Sequence, residues 1–272
     1  MTDAILADER LRKLSFTGST PVGQTLLRQA AGNVLRTSME LGGNAPFLVF
    51  EDADLDAAVA GAGVAKLRNI GQACTAANRF IVHESVASEF AERLAASFGA
   101  LRVGDGLAQD TQIGPLVDEK AHAGVHSLVQ GAVDAGATVL TGGAPLDGPG
   151  WFYPPTVVTD VPRGSDLARE EIFGPVAAIT TFTTEAEALA TANAASVGLA
   201  GYVYTADMAR ALRITERFEV GMIALNQGML SNAAAPFGGV KQAGLGREGG
   251  DDGIAEFLET VYLAIPDPFA QA

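Results

Sequence analysis

The strongest constraint on this chain is an alternation of short apolar runs with longer segments of helical periodicity. "LRKLSFTG" (11–18), "APFLVF" (45–50), "RFIVHE" (79–84), "TVLTGG" (138–143), "VAAITTF" (176–182), "AGYVYT" (200–205) and "GMIALN" (221–226) read as strands. Helices fit between them. "PVGQTLLRQAAG" (21–32) places Val22, Leu26, Leu27 and Ala30 on one stripe, with Pro21 in its first turn and Gly32 at its end. "DADLDAAVAGAGVAKLR" (52–68) opens with acidic residues that suit a helix N-terminus. Ser85 is the expected cap of "VASEFAERLAASFGAL" (86–101), and further helices are expected over 118–136, 185–195 and 207–218. Strand–helix–strand order with apolar strands predicts an α/β fold built on mostly parallel sheet.

Composition narrows the partners. The 272 residues carry a formal net charge of −14, so nucleic acid and anionic membrane surfaces are disfavoured. No apolar run reads as a membrane span, and no charged-then-apolar leader opens the chain. One cysteine cannot form an internal disulfide, so the expected compartment is the cytoplasm. "TGGAPLDGPGWFYPP" (141–155) reads as a surface loop holding Trp151 by packing, and "FLETVYLAIPDP" (257–268) as a terminal strand ended by Pro266 and Pro268. "GDDG" (250–253) reads as a solvated helix start.

Three stretches carry candidate chemistry. In "FTGSTPVG" (16–23) a strand ends at a glycine turn and a helix begins, a place where backbone N–H groups attract phosphate and Gly18 and Ser19 can meet it. A ligand-free turn is the plain alternative. In "MELGGNAP" (39–46), Glu40 precedes a glycine pair in an apolar setting, so burial can raise its pKa towards that of a general base. A glutamate bonded to nearby N–H groups is the alternative there. In "NIGQACTAANR" (69–79), Cys74 sits in a turn between helix and strand, where backbone N–H groups can lower its pKa and hold an oxyanion. A small buried hydrophobe is the alternative.

Taken with "EEIFGPV" (170–176) and "PFGGVKQAGLGREGG" (236–250), these stretches resemble the aldehyde dehydrogenase superfamily. "ELGGNAPFLVFEDADLDAAV" and "KLRNIGQAC" look most like its succinate-semialdehyde subgroup, with Asn44 where many members have lysine. The resemblance implies a partial Rossmann-type nucleotide domain (1–40), an α/β catalytic domain (41–240), and a C-terminal segment (241–272). That segment returns to the nucleotide domain and supplies an oligomerisation strand. It implies NAD or NADP as cofactor, an aldehyde with a distal carboxylate as substrate, and a homo-oligomer, dimer or tetramer.

It also implies roles. Cys74 is the nucleophile and Glu40 the base that delivers water to a thioester. Gly18, Ser19, Gly23 and Leu41 lie by the cofactor; Glu171 bonds the nicotinamide ribose and Phe173 flanks the ring. Arg68 grips the distal carboxylate, Ser231 assists, and Phe237 lines the aldehyde tunnel. Ala76 stands where many subgroup members have a second cysteine, so no disulfide switch is expected. The resemblance covers the C-terminal portion of the family only. The adenosine-binding residues and the oxyanion asparagine belong to the portion not represented, and little or no dehydrogenase activity is expected of these 272 residues alone.

His122 and His126 stand four apart on a helix, without a third ligand in view, and His83 lies in a strand, so no metal is expected. Rival readings are a glutarate-semialdehyde or other short-aldehyde enzyme, a cofactor-free cysteine acyl-transferase or esterase, and a non-catalytic subunit that only oligomerises.

Overall fold

The computed structural model describes residues 2–266. After a short helix α1 (Thr2–Leu6), strand β1 (Lys13–Thr17) leads into helix α2 (Thr20–Ala30) and strand β2 (Arg36–Glu40). The larger unit follows as β3 (Ala45–Val49), α3 (Leu55–Leu67), β4 (Ala77–His83), α4 (Glu84–Gly99), α5 (Glu119–Asp134), β5 (Thr138–Thr141) and β6 (Thr156–Thr159). It continues with α6 (Asp166–Arg169), β7 (Val176–Phe182), α7 (Glu185–Asn193), β8 (Val197–Gly198), β9 (Ala200–Tyr204), α8 (Met208–Thr215) and β10 (Met222–Leu225). The chain closes with β11 (Val240–Lys241), β12 (Gly244–Leu245) and α9 (Gly250–Ala255).

Two sheets matter for the site. The larger runs β10-β9-β3-β4-β7-β6-β5, with every pairing parallel except β5 against β6. Its central strands are buried on both faces, which is why they read as unbroken apolar runs. Phe47, Phe80, Phe90 and Tyr202 pack one face beneath α3 and α4; Leu48, Phe50, Ile81 and Phe182 pack the other beneath α7 and α8. The smaller sheet runs β1-β2-β12, with β1 parallel and β12 antiparallel to β2.

Several local expectations are corrected. Val22 faces solvent at 48% exposure; the buried stripe of α2 is Gly23, Leu26 and Ala30, so the helix is rotated towards its small residue. The cap of α4 is His83, whose Nδ1 accepts the Ser85 N–H, and the helix starts at Glu84, earlier than Ser85 suggested. Residues 257–266 form no strand. Extended backbone needs a neighbouring edge, and their apolar side chains lie open, Val261 at 85% and Tyr262 at 88% exposure. Pro268 lies outside the described residues. No helix among the described residues is long and apolar enough to cross a membrane, and no cluster of three metal-ligating side chains occurs among them.

Candidate active site

The chain passes directly from the smaller sheet into the larger one, from β2 to β3. Glu40 closes β2 at its carboxyl end, in the small sheet. Gly42 and Gly43 precede β3, Cys74 precedes β4, and Glu171 precedes β7, so three loops converge at the amino ends of three adjacent parallel strands.

The glycine pair is held by contact. A Cβ on Gly43 would lie 2.2 Å from the carbonyl oxygen of Cys74. A Cβ on Gly42 would lie 2.9 Å from Oε2 of Glu171 and 3.3 Å from Oγ1 of Thr20. The N–H of Gly43 donates to Oε1 of Glu171 at 3.1 Å. Only hydrogen at these two α-carbons lets the thiol loop, the carboxylate and the start of α2 close on one another.

The thiol loop is strained. Asn69, Ile70 and Gly71 have φ of +51°, +61° and +75°. A β-branched isoleucine in the left-handed region is an outlier, stable only when its surroundings over-determine it. Gly71 packs against the carbonyl of Gly174, where a Cβ would approach to 2.2 Å. Tyr202 donates its hydroxyl to the carbonyl of Thr75 at 2.8 Å and is buried at 2% exposure. Cys74 itself is half-buried and unpaired.

Electrostatics here run against one expectation. The Cys74 pKa is raised rather than lowered. Burial is the largest cause, followed by the negative charges of Glu171 and Glu40; the N–H groups of Cys74 and Thr75 pull the other way and lose. The carboxylates that outweigh the N–H groups come from distant parts of the chain.

Glu40 is 3% exposed, and its Oε2 has no hydrogen-bond partner. Burial, then the charge of Glu248, pushes its pKa up to about 7, with Arg247 opposing. Glu248 and Arg247 carried no assigned role in the sequence, although both lie inside the quoted "GREGG". They reach Glu40 because the 237–248 segment folds over it. Phe237 and Glu248 exchange backbone bonds of 2.6 and 2.7 Å, and a Cβ on Gly238 would lie 3.0 Å from Glu40 Oε1.

The remaining residues are placed as follows. Ser19 is the N-cap of α2, but its side chain makes no capping bond, so the hydroxyl is left outside the helix ladder. A Cβ on Gly18 would strike the Phe16 ring at 2.5 Å, and one on Gly23 would strike Leu41 at 2.4 Å. A side chain at either glycine would have to displace that neighbour, and the Leu41 side chain lies buried against Gly23. Phe173, with φ of +49°, is 42% exposed two residues after Glu171. Arg68 and Ser231 line one narrow cavity with Thr75, Tyr202 and Met229. Arg68 Nη1 lies 3.1 Å from the Met229 sulfur, a weak acceptor that leaves the guanidinium available to an anion. Phe237 is half-buried. His122 faces the Phe152 carbonyl and the rings of Trp151 and Tyr153, an aromatic packing site.

A parallel α/β fold packs the Cys74 loop and Glu171 against one glycine pair, with the charge of desolvated Glu40 felt at the thiol. The chain belongs to the aldehyde dehydrogenase family, whose model matches residues 1–263. It is 61% identical over 265 residues to succinate-semialdehyde dehydrogenase of Paenarthrobacter nicotinovorans, covering 97% of this chain and 59% of that protein. It is 49% identical over 255 residues to glutarate-semialdehyde dehydrogenase of Pseudomonas putida, covering 94% of this chain and 53% of that one. The crystal structure of an aldehyde dehydrogenase from Brucella melitensis biovar abortus superposes with a TM-score of 0.94 at 50% identity, over 96% of this chain and 54% of that one. The chain thus spans little more than half the length of the curated relatives it matches.

Proposed function

We propose that this chain carries the thiol part of an aldehyde-oxidising site acting on succinate semialdehyde. The carrying observation is the convergence of the Cys74 loop and Glu171 on Gly42 and Gly43, with the charge of Glu40 felt at the thiol. Cys74 loses its thiol proton to solvent and its sulfur adds to the aldehyde carbon; a C–S bond forms as the carbonyl double bond opens. NAD or NADP would supply the hydride acceptor when bound, and Cys74 would then hold the acyl carbon as a thioester. Glu40, with its unpartnered Oε2, takes a proton from water as the water attacks the thioester; the C–S bond breaks and the acid departs. A pKa of about 7 suits this task, since the group can both accept and release the proton near neutral pH.

The residues present fit the nicotinamide end of such a cofactor. Glu171 keeps Oε2 beside the α-carbon of Gly42, across from the Thr20 hydroxyl, in a cradle that a Cβ would fill. Ser19 offers a hydroxyl at the start of α2. Arg68 and Ser231 receive the distal carboxylate, because they line the cavity adjoining Thr75, next to the nucleophile. Glutarate semialdehyde is the second reading, favoured by the 49% identical relative of that name. We take residues 1–40 as part of a nucleotide-binding domain, 41–240 as the catalytic domain and 241–272 as a returning and oligomerising segment. The open apolar side chains of 257–265 support a homo-oligomer. A free catalytic thiol suits a reducing compartment such as the cytoplasm.

The test is formation of NADH or NADPH from succinate semialdehyde by the whole protein. Cys74→Ser is expected to abolish it with the fold intact. Turnover surviving in that variant would rule out the thiol route.

A further inference from the structure

Lys66 is 0% exposed, on the last turn of α3, and the chemistry above makes no use of it. A buried ammonium is costly and persists only with partners. Its first partner is Asn78, near the start of β4 and 2% exposed; Nζ donates to Asn78 Oδ1 at 2.7 Å. Lys66 and Asn78 bracket residues 67–77, the segment that holds the left-handed run, Arg68 and Cys74. The hydrogen bond therefore closes that loop at its base.

The second partner is Glu171. The two side chains attract each other through space: Glu171 is the charge that favours the protonated lysine, and Lys66 is the charge that favours the ionised glutamate. Burial opposes both and outweighs them: it lowers the Lys66 pKa to about 7 and leaves that of Glu171 raised, with the Gly43 N–H ahead of Lys66 among the groups that favour the anion. Glu171 in turn accepts the Gly43 N–H, and the loop after it presents the Gly174 carbonyl to Gly71.

We propose that Lys66 is a positioning residue: one buried lysine closes the base of the Cys74 loop through Asn78 and offsets part of the cost of burying Glu171 against Gly43. This rests on the site reading above. Its test, however, does not read turnover, so the two can fail separately.

The experiment is carbon-13 NMR titration of the Glu171 carboxyl in this chain, assigned with Glu171→Gln, together with hydrogen exchange of residues 67–77. In Lys66→Met, of similar shape, the Glu171 midpoint is expected to rise by about one pH unit, the size of effect for loss of a nearby opposite charge. In Lys66→Met/Asn78→Leu, which leaves no orphaned amide, exchange in 67–77 is expected to quicken at least about tenfold while α4 and β7 keep their protection. Should Lys66→Met fail to fold, the reciprocal measurement serves. The Lys66 side chain in Glu171→Gln is then expected to titrate at lower pH than in the parent chain. An unmoved Glu171 midpoint in Lys66→Met, an unmoved Lys66 midpoint in Glu171→Gln, or unchanged loop exchange in the double variant would each overturn the proposal.

Discussion

Gly43→Ala is the sharpest perturbation of the site. The backbone of Gly43 is not in the left-handed region, so alanine has no conformational penalty there. The whole effect is space. The new Cβ would lie 2.2 Å from the Cys74 carbonyl oxygen and 3.3 Å from its carbon. Ordinary van der Waals contact needs 3.4 Å or more, so either the glycine turn or the thiol loop must move by about 1 Å. Overpacking of this kind costs about 1–3 kcal/mol. For a chain of this size that lowers the melting temperature by about 2–10 °C. Displacing a nucleophile by about 1 Å can cost on the order of a hundredfold in rate. The assay pairs thermal unfolding with the second-order rate of Cys74 alkylation by iodoacetamide. Gly63→Ala is the control: it lies within α3 with nothing inside 4 Å of its Cβ position, and it is expected to be neutral or stabilising by about 0.5–1 kcal/mol. If Gly43→Ala melts and alkylates like the parent chain, the glycine pair does not set the thiol loop, and the convergence described here has been misread.

Three further outcomes are expected. Glu40 holds its proton up to about pH 7 when folded but releases it near its ordinary value when unfolded, so its contribution is present at low pH and is lost as pH rises between those values. Glu40→Gln should therefore match the parent near pH 4 and exceed it by about 1–2 kcal/mol at pH 8 in urea unfolding, a figure discounted because the Glu248 charge that contributes to the shift is exposed and screened; equal pH slopes would contradict this. Succinate should protect Cys74 from alkylation, and Arg68→Ala should weaken that protection by about 10–100-fold, the range for loss of a charged hydrogen bond; undiminished protection would remove Arg68 from the carboxylate site. Tyr202→Phe removes the bond to the Thr75 carbonyl and should destabilise the fold by about 1 kcal/mol while quickening exchange of the Thr75 and Ala76 amides; unaltered exchange would show that the hydroxyl does not restrain the loop.

The central strands of the larger sheet were legible because they are buried on both faces and therefore read as apolar runs. β2 was not: Arg36, Thr37 and Ser38 give it a polar start, and only its end at Met39 and Glu40 is apolar in setting. β6 hid behind a turn-rich loop. The terminal strand was legible as apolar pattern, but a strand also needs an edge to pair with, and pattern says nothing of that. At the site, Cys74 and Glu40 were recognisable from residue type beside glycine, whereas the direction of the thiol's pKa was not. Burial decides it, with Glu171 and Glu40 adding to it, and both that burial and the approach of the two carboxylates are properties of the fold. For the same reason Lys66 looked like an ordinary helix residue, and Glu248 was seen only as part of a motif.

The central claim is that Cys74 takes an acyl group and Glu40 delivers the water that removes it. Hydrolysis of p-nitrophenyl acetate by this chain tests both steps without a cofactor. The parent chain should turn over repeatedly. Glu40→Gln should instead release about one equivalent of nitrophenol and accumulate an acetyl group that peptide mass spectrometry places on Cys74. Steady turnover by Glu40→Gln at the parent rate, or an acyl group found anywhere but on Cys74, would contradict the claim.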